Sequence, residues 1–278
     1  MFVKNGTGEL KRVLLSRPTY LKPAPINEIA KVWQNTTLDV ARMEEEHRLL
    51  VKAYEANGVA VEYLEPAENR PNAVFSRDFG ACVREGYILG RFKLPLRQFE
   101  HVDYERRMAE LGVPCAAFLR EGYFEGGDFM FMDETHLLIG MADRTDEKGL
   151  EELRQGLSVY GYQVTGVALK PQYLHLDMCF NLVDDHLAVA YPGALPEEAL
   201  ALVRKLEIEL LDVEEDSIFS HGCNLQSLGN KRVLSLKKNG RVNDRLAQKG
   251  MKVIELDITE ILKAGGGPHC MTFPLERG

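Results

Sequence analysis

Paired cysteines, long apolar runs and surplus basic charge are all missing from this chain. It has 5 cysteines (Cys82, Cys115, Cys179, Cys223 and Cys270), an odd number, spread widely and with no CxxC pair. That pattern excludes a disulfide scaffold and a cysteine zinc cluster, and a reduced cytoplasmic protein is the simplest reading. No stretch approaches the roughly 18 apolar residues of a membrane span. The start of the chain, residues 1–8, lacks the basic region, apolar core and cleavage site of a signal peptide. Lys and Arg number 34 against 42 Asp and Glu, a net charge of −8. General binding to nucleic acid or anionic membrane needs a basic footprint and is not expected. No metal, nucleotide or flavin motif appears, so neither a metal nor a cofactor is expected. What is present is ordinary globular composition: 278 residues, 45% hydrophobic and 27% charged. No linker, low-complexity tract or charge block divides the chain, which is read as one domain, residues 1–278.

A repeat runs through it. A strand-like run, a polar turn, a second strand-like run and a helical segment recur, with hairpins over 79–90, 129–139, 178–190 and, more weakly, 225–236. One polar residue precedes each copy: Asp78, Asp128, Asp177 and Asn224, with Cys270 at the next interval. Their separations are 50, 49, 47 and 46 residues, a near-constant step that signals radial or linear repetition. The intervening segments carry helix signals. Leu150, Leu153 and Leu157 share one helical face, and Pro196 opens a segment with acids in its first turn. A third strand follows each helix, as over 163–169 and 252–256. The fold class is therefore α/β, built of ββαβ units. There are five units if the early strand 12–16 and the helix 38–54 complete the one that ends at Cys270. Closing such a ring removes exposed sheet edges and brings equivalent positions of the repeats together.

Four motifs occupy those equivalent positions. The first is Gly265-Gly266-Gly267-Pro268-His269-Cys270. Its glycines permit close backbone approach, and a cysteine beyond them is a candidate nucleophile. By itself it reads equally well as a buried structural thiol. The second is His175-Leu176-Asp177, where strand alternation would put His175 and Asp177 on one face. Histidine is the usual partner of a cysteine nucleophile and the usual general base. The third is Glu125-Gly126-Gly127-Asp128 and the fourth is Asn72-Ala73-Val74-Phe75-Ser76-Arg77-Asp78. Each alone reads better as a polar turn or strand end. Together they place a thiol, an imidazole and several carboxylates in one cavity. Carboxylates raise a thiol above its reference pKa of about 8.5, so this mixture suits a cationic substrate whose charge offsets the penalty. A planar guanidinium pairs well with two carboxylates through its N–H donors.

As a set, FSRD at Phe75–Asp78, EGGD at Glu125–Asp128, HLD at His175–Asp177 and GGGPHCMT at Gly265–Thr272 resemble the guanidino-group-modifying enzymes of the pentein superfamily. That group includes arginine deiminases, dimethylarginine dimethylaminohydrolases and amidinotransferases. The resemblance implies a fivefold pseudosymmetric α/β propeller and a cysteine-dependent hydrolase of arginine or a closely related, N-methylated arginine. Cys270 would attack the guanidinium carbon to form a thiouronium, and a ureido product and ammonia or an amine would result. His175 would move protons, Glu125 would orient it, and Asp78 and Asp177 would hold the guanidinium. Arg97 and Arg144 would bind the substrate α-carboxylate, and Asn72 falls near the substrate's amino-acid end. Asp177 argues for an unsubstituted guanidinium, while the short chain is more like the dimethylaminohydrolases. Amidino transfer, double hydrolysis to ornithine and a non-catalytic binding protein of the same fold remain alternatives. The partner is a small guanidino compound; an assembled form would be a homodimer. The other four cysteines are expected to pack in strands, and His269 to pack the loop beside the nucleophile. Gly6 and Gly8 are considered for a loop closing the cavity.

Overall fold

The computed structural model describes residues 2–278. The chain runs β1 (Leu10–Ser16), α1 (Glu28–Trp33), α2 (Val40–Ala56) and β2 (Ala60–Leu64). It continues through β3 (Gly80–Val83), β4 (Gly86–Leu89), α3 (Glu100–Glu110) and β5 (Cys115–Phe118). Next come β6 (Phe129–Phe131), β7 (His136–Met141), α4 (Glu147–Ser158) and β8 (Gln163–Ala168). The fourth set is β9 (Phe180–Asp184), β10 (Leu187–Ala190), α5 (Glu197–Lys205) and β11 (Glu209–Asp212), followed by the short α6 (Asp216–Phe219). The chain ends with β12 (Gln226–Gly229), β13 (Arg232–Leu236), α7 (Gly240–Gln248), β14 (Lys252–Leu256) and β15 (Phe273–Arg277).

These strands form five sheets of three, a pattern that fits fivefold pseudosymmetry. In each sheet the central strand lies antiparallel to its hairpin partner and parallel to the strand that follows the helix, as β7 does with β6 and β8. The chain ends share one sheet: β15 is antiparallel to β1, and β1 is parallel to β2. The last unit is thus completed by the N-terminal strand and α2. Local signals set the helices as expected. Asp146 caps α4 by accepting from Gly149 N, and Leu150, Leu153 and Leu157 are its buried face. Pro196 and the acids Glu197 and Glu198 open α5. Where stacking is closest, the Phe79 and Tyr104 rings lie 4.5 Å apart, between β3 and α3.

Adjacent sheets are joined by hydrogen bonds near the polar repeat positions. Arg77 N donates to Cys270 O at 3.0 Å, and Lys93 N to Glu125 Oε1 at 3.2 Å. Leu176 N donates to Asp128 Oδ1 at 2.9 Å, Asn181 Nδ2 to Leu225 O at 2.7 Å, and Arg277 Nη2 to Ser227 O at 2.7 Å.

Three local expectations are corrected. Strand alternation does not hold at His175–Asp177: Leu176–Met178 is a single 3₁₀ turn ahead of β9, with His175 as its extended N-cap. Asp78 and Asp128 sit in equivalent turns, Ser76–Phe79 and Gly126–Asp128. Each turn closes an i to i+3 backbone bond, so consecutive side chains fan around it instead of alternating across a pleat. Cys115 in β5 is exposed rather than packed, whereas Cys82, Cys179 and Cys223 are buried. Gly6 lies against Phe131 and Gly8 against Asn5 and the chain's last residue, so neither is in contact with Cys270. Among the described residues, no helix is long and apolar enough to cross a membrane.

Candidate active site

The 3₁₀ turns aim their polar side chains at one buried locus. Two glycines of the EGGD turn allow the crowding. A Cβ on Gly126 would lie 1.8 Å from Gly80 O, and one on Gly127 would lie 2.6 Å from His175 Nδ1. The imidazole therefore packs directly on backbone. His175 Nε2 donates to Glu125 Oε2 at 3.2 Å, and its Nδ1 lies 3.8 Å from Asp78 Oδ1. Burial opposes a charge on this ring. The carboxylates of Asp78, Asp128 and Glu125 outweigh it and raise the pKa to about 10, so His175 is an imidazolium at neutral pH. For Glu125 burial works against ionisation, but the His175 hydrogen bond and charge, with Arg144 and Arg97, hold it below its ordinary range.

Cys270 lies beside Asp177. Its Sγ is 3.6 Å from Asp177 Oδ2 and accepts from Asn224 Nδ2 at 3.1 Å. Burial first, then Asp177 and Asp78, push the thiol well above its ordinary pKa. Asp177 itself stays ionised: burial opposes this, but the hydrogen bond from His269 Nδ1, at 2.8 Å to Oδ2, prevails. His269 is a neutral donor. Burial and the nearby Arg77 bring its pKa to about 4. It therefore holds Asp177 in place, more than the loop packing expected of it.

Several polar atoms of the motif residues are left over. Asp78 Oδ1, Asp177 Oδ1, His175 Nδ1 and both amide atoms of Asn72 are buried without a hydrogen-bond partner. An unpaired buried polar group is costly, and such atoms on the motif residues are open to a polar ligand. Asp78, Glu125 and His175 also offer atoms within 4.8 Å of one another, close enough for a metal ion. All three are already engaged, Glu125 and His175 with each other and Asp78 with Arg97.

The two arginines are placed differently from the expectation of a free carboxylate clamp. Arg97 is 1% exposed and turns its guanidinium inward. It pairs with Asp78 Oδ2 at 2.5 Å, grips Glu100 through Nε and Nη2, and donates to the carbonyls of Asn72 and Phe75. It fixes Asp78 from behind. Arg144 donates to Asp143 Oδ2 and to Ile26 O, and its Nη1 lies 3.7 Å from Glu125 Oε1. Asn27 Nδ2 donates to Gly265 O at 2.9 Å. The segment at Ile26 and Asn27 is thereby tied both to Arg144 and to the glycine run that leads to Cys270.

Sequence reasoning noted Asn224 only as the fourth repeat residue. In the structure its amide serves both halves of the site. Nδ2 donates to Cys270 Sγ and Asp177 Oδ2, while Oδ1 accepts from His269 N and Cys270 N. Its place in the repeat was the available signal. Asn224→Ala should slow alkylation of Cys270 at fixed pH by roughly 10- to 100-fold, the worth of a hydrogen bond to a charged group. The pH dependence of iodoacetamide inactivation checks this: an unshifted thiol titration would show that Asn224 does not stabilise the thiolate. Cys223 does not enter the site. It packs with Leu225 and Val233, and burial lifts its thiol to about 12.

A thiol, a protonated imidazole and unpaired carboxylates on this fold define a class, the pentein-superfamily enzymes that hydrolyse guanidino groups. Within it, the chain belongs to the family described as N,N dimethylarginine dimethylhydrolase, eukaryotic, whose model matches residues 17–277. It is 32% identical over 272 residues to the uncharacterized protein YkgA of Bacillus subtilis, covering 98% of this chain and 93% of that protein. It is 27% identical to N(G),N(G)-dimethylarginine dimethylaminohydrolase of Mycobacterium tuberculosis, covering 97% of this chain and 87% of that one. The N-terminal domain of ArgZ, an arginine dihydrolase from Cyanobacteria, superposes with a TM-score of 0.86 at 24% identity, over 97% of this chain and 98% of that one. At that identity the likeness speaks for the fold.

Proposed function

We propose that the chain hydrolyses the guanidino C–N bond of free arginine through a covalent intermediate on Cys270, giving a citrulline-type ureido product and ammonia. The observation that carries this reading is the pair of buried, unpartnered carboxylate oxygens, Asp78 Oδ1 and Asp177 Oδ1, the first 3.8 Å from His175 Nδ1 and the second on the carboxylate that lies 3.6 Å from Cys270 Sγ. They require N–H donors, and a guanidinium supplies them with a matching positive charge. That charge also offsets the two carboxylates that suppress ionisation of Cys270. As the cation binds, the thiol gives up its proton to solvent; Sγ then bonds to the guanidinium carbon, the C–N bond breaks, and His175 Nδ1 gives its proton to the departing nitrogen. The neutral imidazole next takes a proton from water as oxygen bonds to carbon and the C–S bond breaks. Asn72 meets the substrate near its amino-acid end, and Arg144 Nη1 offers a donor to the α-carboxylate. Arg97 acts through Asp78. The reading further takes residues 1–278 as one catalytic domain whose five sheets close into a ring, supported by the hydrogen bonds that join each sheet to the next.

The family match favours a second reading, N-methylated arginine. Methyl groups would remove donors and leave a carboxylate unpaired, at a cost of about 1–3 kcal/mol. Product analysis by mass spectrometry separates the readings, with arginine, monomethyl- and dimethylarginine, agmatine and citrulline offered together with glycine. Citrulline formed fastest from arginine is the expected result. Citrulline from the methylated substrates alone would replace the first reading with the second. Ornithine would show double hydrolysis, or amidino transfer if guanidinoacetate accompanied it. No change in any compound would overturn the hydrolase reading.

A further inference from the structure

Against His269 lies a cavity with about 40 Å³ of open space. Arg77, Arg277, Asn181, Gln226, Ser227 and His269 are among the residues that line it. Arg77 and Arg277 are 6% and 3% exposed. The molecule's other buried arginines, Arg97 and Arg144, each lie against a carboxylate. These two have only neutral hydrogen-bond partners, and the carboxylate that acts most on Arg77, Asp177, stands outside the cavity lining. Arg77 Nη2 donates to Gln226 Oε1 at 3.2 Å, and its Nε, also buried, has no partner. Arg277 donates to the carbonyls of Gly8 and Ser227 at 2.9 and 2.7 Å. Buried charges are normally paired, because removing them from water costs far more than carbonyl contacts return. Here two like charges share one small cavity. Burial and the repulsion of Arg77 bring Arg277 down to about 9.

We propose that this cavity binds a small inorganic anion of halide size between the guanidiniums of Arg77 and Arg277. The lining offers N–H donors without a carboxylate, which is what a halide needs. A cavity holds a water once roughly 10–15 Å³ is free, so this one accommodates an ion of chloride's size. The site is separate from the substrate chamber, with His269 between the cavity and Asp177. Arg77 bridges the two electrostatically, since it lowers His269 and its backbone N–H holds Cys270 O. An anion beside Arg77 would weaken that positive field and make the Cys270 thiol harder to ionise. The assignment does not depend on which guanidine is the substrate.

Crystals of the full chain soaked in sodium bromide test it directly. Anomalous differences at the bromine edge should show a peak in the cavity within hydrogen-bond reach of Arg77 Nε. In solution, thermal unfolding at constant ionic strength should give a higher Tm in chloride than in gluconate, which is too large to enter. Arg277→Met should lose that difference. If this variant does not fold, the bromide peak and the wild-type comparison still decide. Bromide peaks confined to the outer surface, or equal Tm values in chloride and gluconate, would overturn the proposal. So would protection by phosphate without protection by chloride.

Discussion

Cys270→Ser should reduce turnover by roughly ten-thousand-fold or more, the scale on which removing a nucleophile collapses covalent catalysis. A serine hydroxyl at this position would face the same two carboxylates that oppose ionisation of the thiol, from a much higher starting pKa. The substitution is nearly isosteric, and Asn224 Nδ2 would still have an acceptor, so the fold should stand. Substrate binding should survive too, because Asp78 and Asp177 are untouched. Isothermal titration with arginine would then report an intact site in an inactive protein. Cys115→Ser is the control: that thiol is exposed on β5, far in role from the site, and its loss should leave turnover unchanged. Comparable activity in Cys270→Ser would remove the thiouronium route altogether.

The second large effect concerns His175 and its pH dependence. With a pKa of about 10, His175 carries its proton through the neutral range. The acid that serves the leaving group is present below that value and is lost as pH rises through it. Turnover should therefore fall on the alkaline side near pH 10. Glu125→Gln removes one of the carboxylates that raise the imidazole. The His175 pKa should drop toward the ordinary 6.5 and the alkaline limb should move down with it. Turnover should fall by about 10²- to 10⁴-fold at pH 8, as expected when general acid–base catalysis is lost. A limb that stays in place in Glu125→Gln would show that it reports some other group. The thiol supplies a complementary observation. Neutral iodoacetamide should label Cys270 slowly at pH 7 and faster up to and beyond pH 9, because Asp177 and Asp78 keep the thiol protonated. Cationic chloroacetamidine should label it readily at pH 7, since its charge sits where those carboxylates face. Equal rates for the two reagents at pH 7 would contradict the cation-dependent thiolate.

The large features of this protein are local enough to be written in consecutive residues. The hairpins, the helix starts at Asp146 and Pro196 and the regular spacing of Asp78, Asp128, Asp177, Asn224 and Cys270 follow from periodicity and capping, which act over a few positions. The same spacing pointed to a shared site for Cys270, His175, Glu125, Asp78 and Asp177, since equivalent residues of stacked repeats converge. The turn geometry was less legible. An HxD triplet reads as strand until the 3₁₀ turn ahead of β9 is seen, and that turn is stabilised by Asp128 accepting from Leu176 N across 48 residues. Pairings across repeats were not legible at all. Arg97 looked available to a substrate, but Asp78 and Glu100 hold it inside, and Asn224 reaches Cys270 across 46 residues. The motif that holds Arg77 read by itself as a polar turn or strand end; instead Arg77 lines a cavity with Arg277. The sequence by itself determined the units and the residue types offered to the centre. Only the tertiary structure decided which of those groups satisfy one another and which are left unpaired, because burial makes each unmade hydrogen bond costly and the chain must settle that account across all five sheets at once.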